Sequence, residues 1–246
     1  MKELRAVLKS GDWPAWEQIA TDQRRGLPPP PLEKPAPPDA ARIDLVPPDR
    51  FTVGAMPLVE AIGKRRSRRK YTEAPLTLEE LSFLLWATQG VQKVMGEGRA
   101  CLRTVPSAGA RHPFETYLLI NRVEGLAPSL YRYLSLEHQL CLVKAEAGLA
   151  EAIDAACFGQ YVLGSAVTFL WTAVPGRTEW RYVHLAHRVI LMDAGHLCQN
   201  LYLACEAIGA GTCAIGAYDQ ERLDALLGVD GEDEFVIYLA PVGRIE

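Results

Sequence analysis

Arg65, Arg66, Arg68 and Arg69 crowd around the hydroxyl of Ser67, with Lys64 and Lys70 on either flank. Such a knot of like charge is repulsive unless an anion neutralises it. Guanidinium forks, a hydroxyl and nearby backbone amides together make a donor set suited to phosphate. The same residues also read as a solvated charge run, or as a nuclear-localisation or nucleic-acid patch. The whole chain carries a net charge of −4, so the knot is a local feature rather than a global bias. No second basic stretch and no aromatic interleaving supports nucleic acid as a partner.

Two further segments are built from small residues. Pro106-Ser107-Ala108-Gly109-Ala110-Arg111-His112-Pro113 lies directly before an apolar run. Its small residues and central glycine let backbone approach a planar ligand, and Ser107, Arg111 and His112 offer polar edges. It reads equally as an ordinary turn into a strand. Gly209 to Gly216 contains G-x-G-x-x-A, the outline of a dinucleotide fingerprint. That fingerprint must follow a strand and open a helix, whereas this one follows a long helical pattern, so a Rossmann site is rejected. A loop whose amides face a ring edge remains open. His184 and His187 lie three apart, with His196 further on, but no third ligand or supporting shell accompanies them and no metal is expected. There is no G-x-S-x-G elbow, and no cysteine is marked as a nucleophile.

The elements that must position these segments follow from pattern. The 246 residues are 49% hydrophobic and 23% charged, ordinary globular values. Residues 1–50 read as an extension and 51–246 as the body. Nine of the 17 prolines fall in 27–48, which therefore cannot enter a helix or central strand. That arm is either a disordered linker or a strap lying on the body or on a partner subunit. A short helix is expected over 57–63, leading into the basic knot. Thr77-Leu78-Glu79-Glu80 is a capping box opening a helix that Gly90 can close in a left-handed cap. Strands are expected at 115–121, 130–133, 140–143, 166–174 and 234–242, and helices at 148–157 and after Asp219. The longest regular segment, 182–208, repeats apolar residues every three or four positions as one helix about 40 Å long, buried in a core or a subunit interface. Strands and helices mix without a βαβ alternation, which favours α+β. No run reaches the roughly 20 apolar residues of a membrane span. No signal-peptide core begins the chain, so a cytoplasmic location with reduced thiols and no membrane partner is expected.

Taken together, RRSRRKY at 65–71, LSFLLWATQGV at 81–91, PSAGARHPFETYLLI at 106–120, AGHLCQNLYLACEAIGAGTCAIGAYD at 194–219 and LLGVDGEDEFVIYLAPVGR at 226–244 resemble the nitroreductase superfamily of FMN enzymes. The likeness is strongest to its SagB-type dehydrogenase branch. Order and spacing match over roughly residues 55–246.

The resemblance implies an α+β three-layer sandwich with a mixed, mainly antiparallel sheet flanked by helices. It also implies a long central helix at a homodimer interface and FMN bound between subunits. Carried over by position, Arg65, Arg66, Ser67 and Arg69 hold the phosphate and ribityl chain, and Arg244 is a second phosphate cation. Pro106, Ser107, Ala108 and Gly109 lie against the ring from the partner subunit, while Ala214, Ile215, Gly216 and Ala217 face the flavin N5 side. The activity implied is ping-pong hydride transfer through N5, with NAD(P)H as a donor and a small molecule or peptide as substrate. Azoline-oxidising members of the branch resemble one another in a Lys-Tyr pair before the long helix, where this chain reads Trp180-Arg181-Tyr182. Arginine stays protonated and is a poor base, which counts against azoline oxidation. Tyr182 is left either as a catalytic proton donor or acceptor or as a packing residue. The rivals are a peptide-tailoring dehydrogenase, a non-catalytic flavin-binding module and a nucleic-acid binder.

Overall fold

A computed structural model describes residues 3–246. The strands are β1 (Arg42–Asp44), β2 (Val91–Met95), β3 (Ala100–Arg103), β4 (Phe114–Ile120), β5 (Ser129–Leu134), β6 (Gln139–Lys144), β7 (Val167–Ala173), β8 (Ala210–Thr212) and β9 (Phe235–Arg244). The helices are α1 (Leu58–Lys64), α2 (Leu78–Gln89), α3 (Leu149–Ala156), α4 (Gly176–Tyr182), α5 (Ala186–Ala207) and α6 (Gln220–Leu227). Seven strands form one sheet in the order β1-β6-β5-β4-β7-β9-β8, with β2 and β3 as a separate ribbon. Every paired strand runs antiparallel, and parallel pairing enters only as single bridges such as Ser67 with Thr212.

Both faces of the central strands β4 and β7 are buried, in keeping with their largely apolar sequences. Because side chains alternate, Leu118, Ile120, Phe169 and Trp171 pack on one face, in one core with Leu84 of α2 and Leu197 and Leu201 of α5. Tyr117, Leu119, Leu170 and Leu239 pack on the other, with Ile153 of α3 and Leu223 of α6. The result is a helix–sheet–helix α+β sandwich of three layers, as the resemblance implies.

The capping box forms with both halves in place. Thr77 Oγ1 accepts from the Glu80 amide at 3.2 Å, and Glu80 Oε2 accepts from the Thr77 amide at 2.8 Å. Glu80 has a second partner, Arg244, whose Nη2 lies 2.5 Å from Oε1. Two expectations need correcting. Gly90 is not left-handed (φ −59°, ψ 132°); a glycine is needed because the Trp86 ring occupies the space of a Cβ. The 182–208 segment is not one helix. Tyr182 ends α4, Val183 turns at φ 48°, and α5 begins at Ala186 after a short 3-10 turn. The apolar spacing continued across this break because both pieces pack on the same core, so periodicity alone does not reveal it.

The proline-rich arm lies on its own body. Leu32 and Leu45 are buried. Arg42–Asp44 adds the edge strand beside β6. The Lys34 amide donates to Glu115 Oε1 at 2.7 Å, Lys34 Nζ pairs with Glu234 at 2.6 Å, and Arg132 Nη2 donates to the Pro35 carbonyl at 3.0 Å. The arm thus roofs the polar end of the α3/α6 face, where buried Glu115 is also paired with Arg177 and Arg132.

Thr77→Ala is expected to cost about 1 kcal/mol in chemical denaturation through loss of the cap. Glu80→Ala is expected to cost more, because it also strips the part-buried Arg244 of its counter-ion; equal costs would contradict the shared role.

Candidate functional site

The basic knot follows the end of α1. Arg66 Nη1 donates to the carbonyls of Gly63 (3.1 Å) and Arg65 (2.7 Å), closing the helix's open C-terminus. The chain then runs extended along β8: Ser67 bridges Thr212, and the Arg68 amide donates to the Thr212 carbonyl at 2.9 Å. Gly211 permits this approach, since a Cβ there would fall 2.5 Å from Arg68 Cβ.

Tyr202, on α5, joins this segment to the 214–217 loop. Its hydroxyl lies 3.2 Å from Ser67 Oγ and accepts from the Ala214 amide at 2.9 Å. The Arg65 guanidinium sits over its ring, 5.4 Å from the centroid. Ile215 is buried and bridges Leu239, which anchors the loop and leaves Gly216 and Ala217 exposed beyond it. Sequence reasoning passed over Tyr202 because a tyrosine on an apolar helix looks like core; its position one turn before Glu206 was the available signal.

Glu206 was also missed. It is 5% exposed, accepts from the Arg66 amide at 3.2 Å, and lies 3.9 Å from Arg68 Nε. The knot therefore carries part of its own counter-charge, and Arg68 turns inward while Arg66 and Arg69 stay exposed. Among the described residues Arg65, Arg66 and Arg69 form no ion pair, and the buried Arg68 Nε has no hydrogen-bond partner. Arg244 has both ends of its fork engaged, on Glu80 and on the Ile208 carbonyl at 2.6 Å, where it closes the C-terminal end of α5.

The 106–109 loop is held at the other end of α5. Ser107 Oγ donates to Asp193 Oδ2 at 2.6 Å, the Ala108 amide donates to the same oxygen at 3.1 Å, and the His112 amide donates to Ser107 Oγ at 2.9 Å. Burial pushes the Asp193 carboxyl up, while the Ser107 and Ala108 hydrogen bonds pull it down. Gly109 is left-handed (φ 61°), and a Cβ would meet Arg181 Cδ at 2.7 Å and Tyr182 Oη at 2.8 Å. Tyr182 thus aims its hydroxyl at this loop while its ring packs near Trp13 and Trp16, at 5.7 and 5.5 Å between centroids. His112, also at positive φ, places Nε2 3.1 Å from the Cys101 carbonyl. Burial, reinforced by Arg103, pushes its imidazole down to about 3.

The structure therefore brings Arg65, Ser67, Tyr202 and Ala214 together, and separately Ser107, Ala108, Gly109 and Tyr182. Asp193 and Glu206 anchor the two groups at points about 20 Å apart along α5, at 1.5 Å per residue.

A family model described as "Nitroreductase family" matches residues 62–244. A protein of Methanocaldococcus jannaschii named as a nitroreductase, MJ1384, is 33% identical over 187 residues, covering 76% of this chain and 90% of its own length. The trifolitoxin-processing protein TfxB of Rhizobium leguminosarum bv. trifolii is 26% identical over 166 residues, 63% of this chain and 44% of TfxB. The crystal structure of a nitroreductase-type protein from Ralstonia eutropha JMP134 superposes with a TM-score of 0.68 at 29% identity, over 89% of this chain and 99% of that one.

Neutral His112 gives a pH signature. An unfolded histidine takes up a proton near 6.5 while the folded one resists until about 3, so the unfolded state binds more protons in between. Its contribution is complete above pH 6.5 and is lost as pH falls toward 3. The urea midpoint is expected to drop across this window, and His112→Asn to flatten the drop; an unchanged slope would contradict the assignment.

Proposed function

This chain belongs to the nitroreductase family, and on that premise we propose that it is an FMN-dependent oxidoreductase whose site is completed by a second copy of itself. The observation that carries the reading is the Tyr202 hydroxyl, which ties a phosphate-type donor set to an exposed loop of small residues. The donor chemistry suits FMN: Arg65, Arg66 and Arg69 lack acidic partners among the described residues, Ser67 supplies a hydroxyl, and Arg68 Nε, 3.9 Å from Glu206, has no hydrogen-bond partner. Gly216 has nothing within 4 Å of a would-be Cβ, so a flat ring can approach its backbone.

In this reading Arg65, Arg66, Ser67 and Arg69 hold the phosphate and ribityl chain, and Ala214, Ile215, Gly216 and Ala217 present backbone to the ring. Arg244 acts indirectly, by fixing the α5 terminus from which Tyr202 and Glu206 project. Bound FMN supplies two-electron chemistry at its N5, which needs no nucleophile from the protein. The chain's own tasks are orientation and charge. Glu206 limits how much positive potential the knot presents, and Arg65 is steadied by the Tyr202 ring. Tyr182 Oη, beside Gly109, is positioned to give or take a proton on substrate. NAD(P)H is the proposed donor.

The distance between the two groups supports a homodimer. One chain cannot bring residues 106–109 to residues 65–69 when both are anchored on the same rigid helix about 20 Å apart. An antiparallel pairing of two α5 helices can. Just before the Asp193 anchor α5 exposes Leu191 and Met192, just after it Gly195, and α1, which packs on α5, exposes Leu58 (64%), Val59 (80%) and Ile62 (58%). Large apolar side chains left in water on two adjoining helices suit an interface. In the dimer the partner copy then supplies Pro106, Ser107, Ala108 and Gly109. A second reading, peptide tailoring by a SagB-type dehydrogenase, draws support from the similarity to TfxB. Against it, Arg181 occupies the position of the branch's lysine and cannot serve as a base.

Arg69→Ala is expected to weaken FMN retention about tenfold or more, the scale of one charge-assisted hydrogen bond, read from the flavin-to-protein absorbance ratio. Unchanged FMN content would count against the assignment. Met192→Glu is expected to shift the protein to monomers in sedimentation and to release FMN with them. A monomer that keeps FMN would overturn the shared site.

A further inference from the structure

Behind Gly109 lies a cleft of about 730 Å³, enclosed by the arm at residues 23–29, the β2–β3 ribbon and α4. One part of its wall is apolar and held in place by hydrogen bonds. Leu27, Pro28 and Pro29 face Trp180, whose indole Nε1 donates to the Leu27 carbonyl at 3.0 Å, while the Gln23 amide donates to the Trp180 carbonyl at 3.0 Å. Its charge is of one sign, from Arg99, Arg111 and Arg181.

Arg111 is 3% exposed and unusually placed for a buried cation. Its Nε donates to the Arg177 carbonyl at 2.9 Å, its Nη1 donates to the Arg99 carbonyl at 2.8 Å, and its plane stacks on Trp180 at 4.8 Å. Its Nη2 has no partner, and neither has Arg181 Nε. Two other buried arginines, Arg177 and Arg132, meet Glu115, and a third, Arg103, donates to Gln89 and to the Leu32 carbonyl. Among the described residues no acidic side chain forms an ion pair with Arg111 or Arg181. Burial and the nearby Arg181 both press the Arg111 guanidinium down from its ordinary value, as expected of like charges waiting for an anion.

We propose that this cleft is a binding subsite for an organic carboxylate, clamped by Arg111 and Arg181 with its apolar body between Trp180 and the prolines of the arm. A bare inorganic ion would leave the apolar part of the wall, Leu27, Pro28, Pro29 and Trp180, unused. Guanidinium forks suit a planar carboxylate, and the space admits a ring or short chain behind it. Gly109 separates the cleft from Tyr182 Oη, so the site would orient an acidic substrate beside the ring-facing loop. That catalytic use rests on the flavin reading; the binding itself does not.

The test titrates the purified full-length protein, as isolated, with sodium benzoate, benzamide and inorganic phosphate, following tryptophan fluorescence and calorimetry. Benzoate is expected to saturate, with benzamide at least tenfold weaker. Arg181→Gln is expected to weaken benzoate at least tenfold with unchanged FMN absorbance. Arg99→Gln, at an exposed position, is expected to weaken it less and serves if the first variant fails to fold. Equal binding of benzoate and benzamide, benzoate affinity unaltered in the folded variants, or phosphate competing as well as benzoate would each overturn the proposal. Flavin absorbance in the same samples separates the two readings: colourless protein that binds benzoate sinks the flavin assignment alone, and yellow protein that ignores benzoate sinks this one alone.

Discussion

A single rigid helix carries both halves of the proposed site and holds them apart. Glu206 and Tyr202 near its C-terminal end organise the basic segment, while Asp193 nearer its N-terminal end holds the 106–109 loop. The helix cannot bend to join them, because Leu197, Leu201 and Ala204 lock it against the sheet. On the proposed reading, what looks like a defect in one subunit becomes a specification for two. Beside the Asp193 anchor α5 leaves Leu191 and Met192 in water, and α1 leaves Leu58, Val59 and Ile62.

Charge is managed in the same spirit at three places. Glu206 offsets part of the arginine knot but leaves its outer cations without acidic partners. Glu115 is surrounded by Arg177, Arg132 and the Lys34 amide under the arm, a closed network suited to holding the arm down. Arg111 and Arg181 form no ion pair among the described residues. A buried charge with full partners reads as architecture, and one with open valences reads as a place for a ligand.

Much of this was legible in the sequence, for identifiable reasons. The α2 cap, the central strands and α6 announced themselves through local chemistry: Thr77 with Glu80, short largely apolar runs, and Asp219 accepting from the Arg222 amide. Features set by distant contacts were not legible. The break at Val183 is enforced by packing around Tyr182, Trp13 and Trp16, and β8 exists only because β9 runs beside it. The arm's prolines excluded a central strand but could not say which surface it covers. In the site, arginines and glycines advertised themselves by type, whereas Tyr202, Glu206 and Asp193 act through positions that only the fold brings together.

Subunit complementation tests the central claim most directly. One chain carries Arg69→Ala, damaging the basic half, and the other Gly109→Leu, whose side chain would strike Arg181 and Tyr182. Each homodimer should lose FMN, and the mixed dimer should regain one FMN per two chains by assembling one intact site from two undamaged halves. Mixed dimers as empty as their parents, alongside a wild-type dimer that is fully loaded, would contradict the account.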